Sequence, residues 1–259
     1  MENECKIYNE GLSEYRKRPY FNPLNEQRYI HFKVRQAHYT WEEVITYVNI
    51  GLDFAFYENI RLIPNPDELT VLVNKYNQLP GDYEPKDLEV IHPDFNAGEY
   101  VLRSEARVAF EEMCRAARED DILLQAISTY RSFRYQEEVY YRYKTPEETM
   151  EEYRKARDRV SARPGHSEHQ TGYAVDINDL EQSFAETPAG IWLAANSYRF
   201  GFILRYPKGK EHITGYDYEP WHFRYIGKKY AEDMHMLGIT FDEYYVRYLQ
   251  NYSAKRDEL

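Results

Sequence analysis

Residues 165–177, GHSEHQTGYAVDI, bring His166, Ser167, Glu168, His169 and Asp176 into one short stretch. Imidazoles and carboxylates are the common ligands of zinc and the common acids and bases of catalysis. The end of the stretch, YAVDI, reads as a strand. A period of two puts Ala174 and Asp176 on one face and Tyr173, Val175 and Ile177 on the other, so Asp176 can point into a cleft while its neighbours enter the core. Gly172 permits the turn that folds His169 back beside Asp176. Two such side chains do not make a stable metal site, and YEPWHFRY supplies a third: His222 begins another β-like segment, with Glu219 three residues earlier across Pro220. Two histidines and a carboxylate with one open position form the ligand count of a catalytic zinc site. Water there loses a proton near pH ~7 and a neighbouring carboxylate can take it. Glu219 is the candidate base. His166, three residues from His169, could also reach a metal, and spacing leaves that alternative open. His31, His38, His92, His212 and His235 show no comparable setting.

The surrounding pattern must position these groups. Thr40 and Glu43 have capping-box spacing, and Val44, Ile45 and Val48 give an apolar face, so TWEEVITYVNIGL reads as a helix ended by Gly51. The Pro-, Asn- and Asp-rich stretch that follows frames LTVLV, which predicts one short strand. The composition places a boundary near LPGDYEP, dividing an N-terminal accessory region, 1–81, from a second domain, 82–259. Beyond it, Ala106, Ala109, Phe110, Met113 and Ala117 fall at helical spacing, and DILLQAISTY is β-like from Ile122. Thr145, Pro146 and Glu148 predict the start of the next helix, and Thr187 with Pro188 the start of another that Gly201 stops. FILRY and WHFRYIG are β-like, and a last helix runs through Tyr230, Met234 and Leu237. Short strands among helices make this an α+β chain rather than a doubly wound sheet.

Composition removes several classes of function. The 259 residues are 42% hydrophobic and 30% charged, a globular balance. With 44 acids against 33 bases, a net charge of -11 repels nucleic acid over most of the surface. No apolar run is long enough for a membrane span. The first residues lack the apolar core of a signal peptide, which predicts a cytoplasmic protein as the sequence stands and a cell-envelope one if a leader was removed. Cys5 and Cys114 allow at most one bridge, and Cys114 reads as a buried free thiol. The terminal RDEL is read as chance, and nothing in the composition sets an oligomeric state.

The string Ser167-x-His169-x-x-Gly172-x-Ala174-x-Asp176, followed by Glu219-Pro-Trp-His222, resembles the metal signature of VanY-like D-alanyl-D-alanine carboxypeptidases. The likeness continues in STYRSFRYQ and in GFILRYPKGKEHITGYDYEPWHFRYIG, covering roughly residues 82 to 230; YVNIGLDFAFYENI and VLVNKYNQLP resemble the leading region of some longer members. The resemblance implies that His169, Asp176 and His222 hold one Zn2+ per chain and that Glu219 is the catalytic base, leaving His166 outside the ligand set. It implies a small antiparallel sheet carrying the site, flanked by helices, behind a mostly helical N-terminal extension. Tyr173 stands where many relatives carry Leu, at a position expected to face the core.

A carboxypeptidase must hold a free carboxylate and stabilise an oxyanion, and a guanidinium fork suits either task. The resemblance assigns that part to Arg131, with Ser167 and Gln136 as hydrogen-bonding partners of substrate; Arg134 and Arg205 are alternatives. The implied activity is hydrolysis of the C-terminal D-Ala from peptidoglycan stem peptides or precursors. An LD-carboxypeptidase or a peptidoglycan endopeptidase of the same fold is the near alternative, and a non-catalytic zinc-containing module that binds cell-wall peptide the distant one. A pure binder has no use for Glu219 beside the metal. The 27 tyrosines read as amphipathic packing, with stacking on glycan rings as the functional alternative.

Overall fold

Alternation of apolar and polar residues along two short strands builds the centre of the molecule. The computed structural model describes residues 11–250 and Tyr252. Cys5 and the RDEL tail lie outside the described residues. The contacts divide the chain into two compact units, Met1–Asn59 with Phe241–Leu259, and Ile60–Thr240.

The first unit is helical. Its longest helices among the described residues are α1 (Glu26–Arg35) and α2 (Trp41–Ile50). Thr40 and Glu43 close the expected capping box at the start of α2, and Gly51 ends it in the left-handed conformation, φ 114°. Arg247 reaches α2 from the C-terminal side, donating to Thr46 Oγ1 at 2.9 Å and to Glu42 at 2.7 Å.

The second unit carries eight strands among the described residues: β1 (Arg61–Leu62), β2 (Asn77–Gln78), β3 (Leu88–Val90), β4 (Val101–Arg103), β5 (Ala126–Ser128), β6 (Ala174–Ile177), β7 (Phe202–Leu204) and β8 (His222–Tyr225). The last four form one antiparallel sheet in the order β5-β6-β8-β7. Register makes the site. Asp176 lies opposite His222 across the β6–β8 pair, with Val175 opposite Phe223 and Ala174 opposite Arg224. One face is therefore polar. The other sends Val175, Ile177, Phe223 and Tyr225 into a core with Phe202 and with Ala106, Phe110 and Met113 of α3 (Ser104–Glu119). Each large apolar side chain buried there contributes about 1.5–3 kcal/mol. Tyr173 joins this core, as expected of its position.

The other longer helices of this unit are α4 (Phe133–Tyr141), α5 (Met150–Arg157), α6 (Pro188–Asn196) and α7 (Lys228–Leu237). Thr187 caps α6 by accepting from Gly190 N at 3.1 Å, and Gly201 closes the following turn at φ 87°. Cys114 is a buried free thiol on α3.

Two sequence expectations need correction. The helix expected from Thr145 begins at Met150, one turn later. TPEETMEE carries two capping boxes in tandem; Thr145 and Glu148 bond each other across a turn, and Thr149 with Glu152 starts the helix. LTVLV buries Val71, Leu72 and Val73 but forms no strand. Its carbonyls go to guanidinium groups instead of a neighbouring strand: Arg224 donates to Leu69 O at 2.9 Å and Val71 O at 3.1 Å, and Arg205 to Val73 O at 3.5 Å. The compact units divide after Asn59 and after Thr240. Residues 60–81 belong with the sheet, where Leu79 N also donates to Gly165 O at 2.8 Å. Gly165 allows that approach: at φ 81° it has no Cβ, which would stand 3.1 Å from Leu79 O.

Candidate active site

His169 lies on a one-turn 3₁₀ helix, Glu168–Thr171, closed by Gly172 at φ 72°. A Cβ on Gly172 would meet Arg103 and Leu88 side chains at 2.9 Å, so the turn that returns the chain to β6 requires glycine. His169 Nδ1 donates to Thr129 O at 2.6 Å, because a carbonyl can only accept. Nε2 is left facing Asp176 Oδ2 at 3.2 Å. His222 turns Nδ1 toward Asp176 Oδ1 at 3.1 Å, and the two imidazoles meet edge to face with centroids 4.9 Å apart. One ligand atom from each of His169, Asp176 and His222 falls within 4.8 Å of the others, and all three residues are buried. They form the one such cluster among the described residues.

Electrostatics fit a cation at this point. Burial pushes the Asp176 carboxyl toward the neutral form, yet His169 and His222 beside it hold it well below its usual range. Burial drives His169 down to about 4, leaving the neutral imidazole that ligates metals. His222 is opposed by burial but raised to about 9 through Asp176 and Glu168. Asp176 Oδ1 is buried without a hydrogen-bond partner. A buried carboxylate whose two oxygens each face an imidazole nitrogen, one of them without a hydrogen bond, is costly unless an ion occupies the gap, and the two-nitrogen, one-oxygen donor set suits zinc.

Comparison with known proteins agrees with this geometry. Residues 99–228 match the family described as VanY, D-alanyl-D-alanine carboxypeptidase. The chain belongs to the VanY family. It is 40% identical over 203 residues to YodJ of Bacillus subtilis (strain 168), the match covering 74% of this chain and 72% of that one. Among solved structures it is similar to the LdcB LD-carboxypeptidase, at 40% identity and a TM-score of 0.66, covering 73% of this chain and 91% of LdcB. It is also similar to a VanY D,D-pentapeptidase from a VanB-type vancomycin-resistance cassette, solved in complex with Zn(II), at 35% identity and a TM-score of 0.58, covering 68% and 97%.

The other residues expected at this VanY-family site fall as follows. Glu219 Oε2 lies 3.7 Å from His222 Nδ1, and burial above all raises its carboxyl to about 7. Arg131 follows β5, just before Ser132 caps α4; its backbone N donates to His169 O at 3.2 Å and its Nη1 to Ser128 Oγ at 3.0 Å. Its Nη1 is 3.8 Å from Asp176 Oδ2, and its Nε is buried with no hydrogen-bond partner. Ser167 is buried on the wall of the cleft, a space of about 620 Å³ that opens over the three clustered residues, Glu219 and Arg131. Gln136 does not line that cleft. Its Nε2 donates at 2.8 Å to the carbonyl of Ala162, which does. His166 is outside the cluster, donating from Nδ1 to Asn74 O at 2.8 Å. Arg134 is exposed, 3.9 Å from Glu138, and Arg205 is buried against Glu168 at 2.8 Å. Tyr140 is buried, whereas Tyr135 and Tyr143 are exposed at the cleft.

Sequence reasoning missed Glu168 and Arg224. A signal for them existed in the strand period. Arg224 stands two residues after His222 and shares its face, and an arginine on the inner face of a buried strand requires an acid nearby.

Proposed function

We propose that the chain is a zinc-dependent carboxypeptidase that removes the terminal D-Ala from peptidoglycan stem peptides or their precursors, acting on the D-Ala-D-Ala bond. The observation that carries this reading is the pairing of a three-ligand cluster with a separate buried carboxyl, Glu219, raised to about 7. His169, Asp176 and His222 would hold the zinc ion, which would supply Lewis-acid chemistry for polarising a carbonyl and acidifying water. Glu219 takes the proton from the attacking water and returns it to the departing amine; a carboxyl titrating near neutrality is suited to both transfers. Arg131 offers its guanidinium to the substrate's terminal carboxylate or to the oxyanion. Ser167 is placed on the cleft wall to hydrogen-bond the peptide, while Gln136 acts on the wall itself through Ala162.

A second reading, cleavage between an L-centre and D-Ala, is favoured by the likeness to LdcB, whose TM-score of 0.66 exceeds the 0.58 of the VanY pentapeptidase. Incubation of zinc-loaded protein with penta- and tetrapeptide stems, with mass spectrometry of the products, separates the two. Loss of one D-Ala from the pentapeptide alone supports the first, and loss from the tetrapeptide the second. Binding of both without hydrolysis would leave only a peptide-binding module. Glu219→Gln preserves shape and removes the proton acceptor, so turnover should fall ~10²–10⁴-fold while zinc is retained. Equal turnover would disprove its role as base.

A further inference from the structure

Glu168 sits between the two histidines of the opening motif and is wholly buried, yet it has no part in the chemistry described above. Its Oε1 receives two guanidinium groups, Arg205 Nε at 2.8 Å and Arg224 Nη1 at 3.2 Å. Both arginines are buried and are anchored in turn on the carbonyls of Leu69, Val71, Val73 and Tyr225. The other oxygen, Oε2, makes no hydrogen bond and faces His222 Nε2 at 3.7 Å, itself buried and without a hydrogen-bond partner. An approach of under about 1 Å would turn this contact into a charge-assisted hydrogen bond. His169 already has the equivalent restraint from Thr129 O at 2.6 Å, so both imidazoles of the cluster have an acceptor behind them.

We propose that Glu168 is a positioning residue for His222. Its Oε2 accepts the proton on Nε2, which fixes the ring's tautomer and orientation and keeps the Nδ1 lone pair directed at the Asp176 side of the cluster. The two arginines have a separate part: they hold Glu168 in place, so the imidazole is held by a carboxylate that is itself fixed through guanidinium groups to backbone. A carboxylate behind a ligating histidine raises the ring's basicity as well as orienting it, and removal of such a partner typically weakens metal binding 10–100-fold. The inference rests on the zinc reading of the cluster.

The test uses the full-length chain with 15N-labelled histidine, loaded with zinc. In the parent, a slowly exchanging His222 Nε2–H resonance is expected at low field. Glu168→Gln should move that resonance upfield and weaken zinc binding 10–100-fold in a chelator competition, while the His169 Nδ1–H resonance on Thr129 O stays in place. A general loss of structure would move both. Absence of a proton on His222 Nε2 in the parent, or a folded Glu168→Gln with unchanged His222 resonance and zinc affinity, would overturn the proposal. Should Glu168→Gln not fold, Arg205→Lys keeps the positive charge and loses the Nε–H donor to Oε1; it should displace the His222 resonance in the same direction, and an unmoved resonance overturns the proposal. Metal analysis of the parent comes first. A parent that takes up no zinc defeats the metal reading and the proposal together, whereas zinc uptake with an unmoved His222 resonance defeats only the proposal.

Discussion

Each compact unit buries a polar cluster, and the two are satisfied in opposite ways. In the helical unit, Tyr29 Oη donates to Asn49 Oδ1 at 2.6 Å and accepts from Asn22 N at 3.1 Å; Asn25 Nδ2 also donates to Asn49 Oδ1 at 3.0 Å, and Asn49 Nδ2 to Tyr20 O at 2.8 Å. Its charged neighbour, Arg28, donates to Asn25 Oδ1 at 2.9 Å, and burial holds the Tyr29 hydroxyl above its ordinary range. In the sheet unit, Arg131 Nε, Glu168 Oε2, Asp176 Oδ1 and His222 Nε2 are buried within one site with no hydrogen-bond partner. Among the described residues, every such orphan belongs to the sheet unit. Closed networks stabilise a fold; charged groups left open in a well-packed interior mark a site, where a ligand completes Asp176 and Arg131 while Glu168 and His222 face each other. The difference between scaffold and site is therefore readable in the accounting of hydrogen bonds, apart from any likeness to other proteins.

The sharpest break of that contrast is removal of a ligand from the open cluster. His222→Ala or His169→Ala should abolish both zinc binding and hydrolysis, whereas His166→Ala should keep the metal. Metal analysis checks this, and full occupancy in both ligand variants would sink the assignment. A fragment starting at Asp82 comes next. It lacks the carbonyls of Leu69, Val71 and Val73, leaving Arg205 and Arg224 buried without those acceptors. It should be insoluble or unfolded where the full chain is stable; a folded, zinc-binding fragment would show that those carbonyls are dispensable.

Acid should affect the sheet unit through His166. Burial, foremost, lowers it from 6.5 to about 4, so the folded state holds a neutral ring and the unfolded state binds the extra proton between these values. Its contribution is fully present above pH 6.5 and is lost as pH falls toward 4, to the extent of roughly 2–3 kcal/mol. Denaturant titrations at pH 7 and pH 4.5 should show a steeper loss for the parent than for His166→Gln. The smallest effect belongs to the closed cluster. Asn49→Ala should cost about 1–3 kcal/mol of stability and leave kcat/KM of the folded protein unchanged; a change in kcat/KM would mean that the helical cluster is more than scaffold.

What the sequence disclosed follows the range of its signals. Asp176 was placed by the strand period of YAVDI, and the start of α2 by the Thr40–Glu43 box, because both are local. His222 came from residue type, and its facing of Asp176 follows from a register that one strand alone does not contain. LTVLV looked like a strand because burial and β-branching do not reveal which group takes the carbonyls; here two arginines from β8 and the end of β7 do. Proline and glycine mark turns, not the limits of a core.

The arginine contacts with Leu69, Val71 and Val73 also have a kinetic meaning. They join residues 155, 153 and 132 positions apart in the chain, and the His166 bond to Asn74 closes 92 more. Such closures give up the entropy of long loops before any bond is returned, and topologies that depend on them fold slowly. Glu168 cannot acquire its anchored guanidinium partners until these loops have shut, so the ring behind which it stands is set only near the end of folding. Metal captured earlier would meet an unfinished site. A zinc-binding signal in refolding experiments should therefore lag behind the burial of the α3 core.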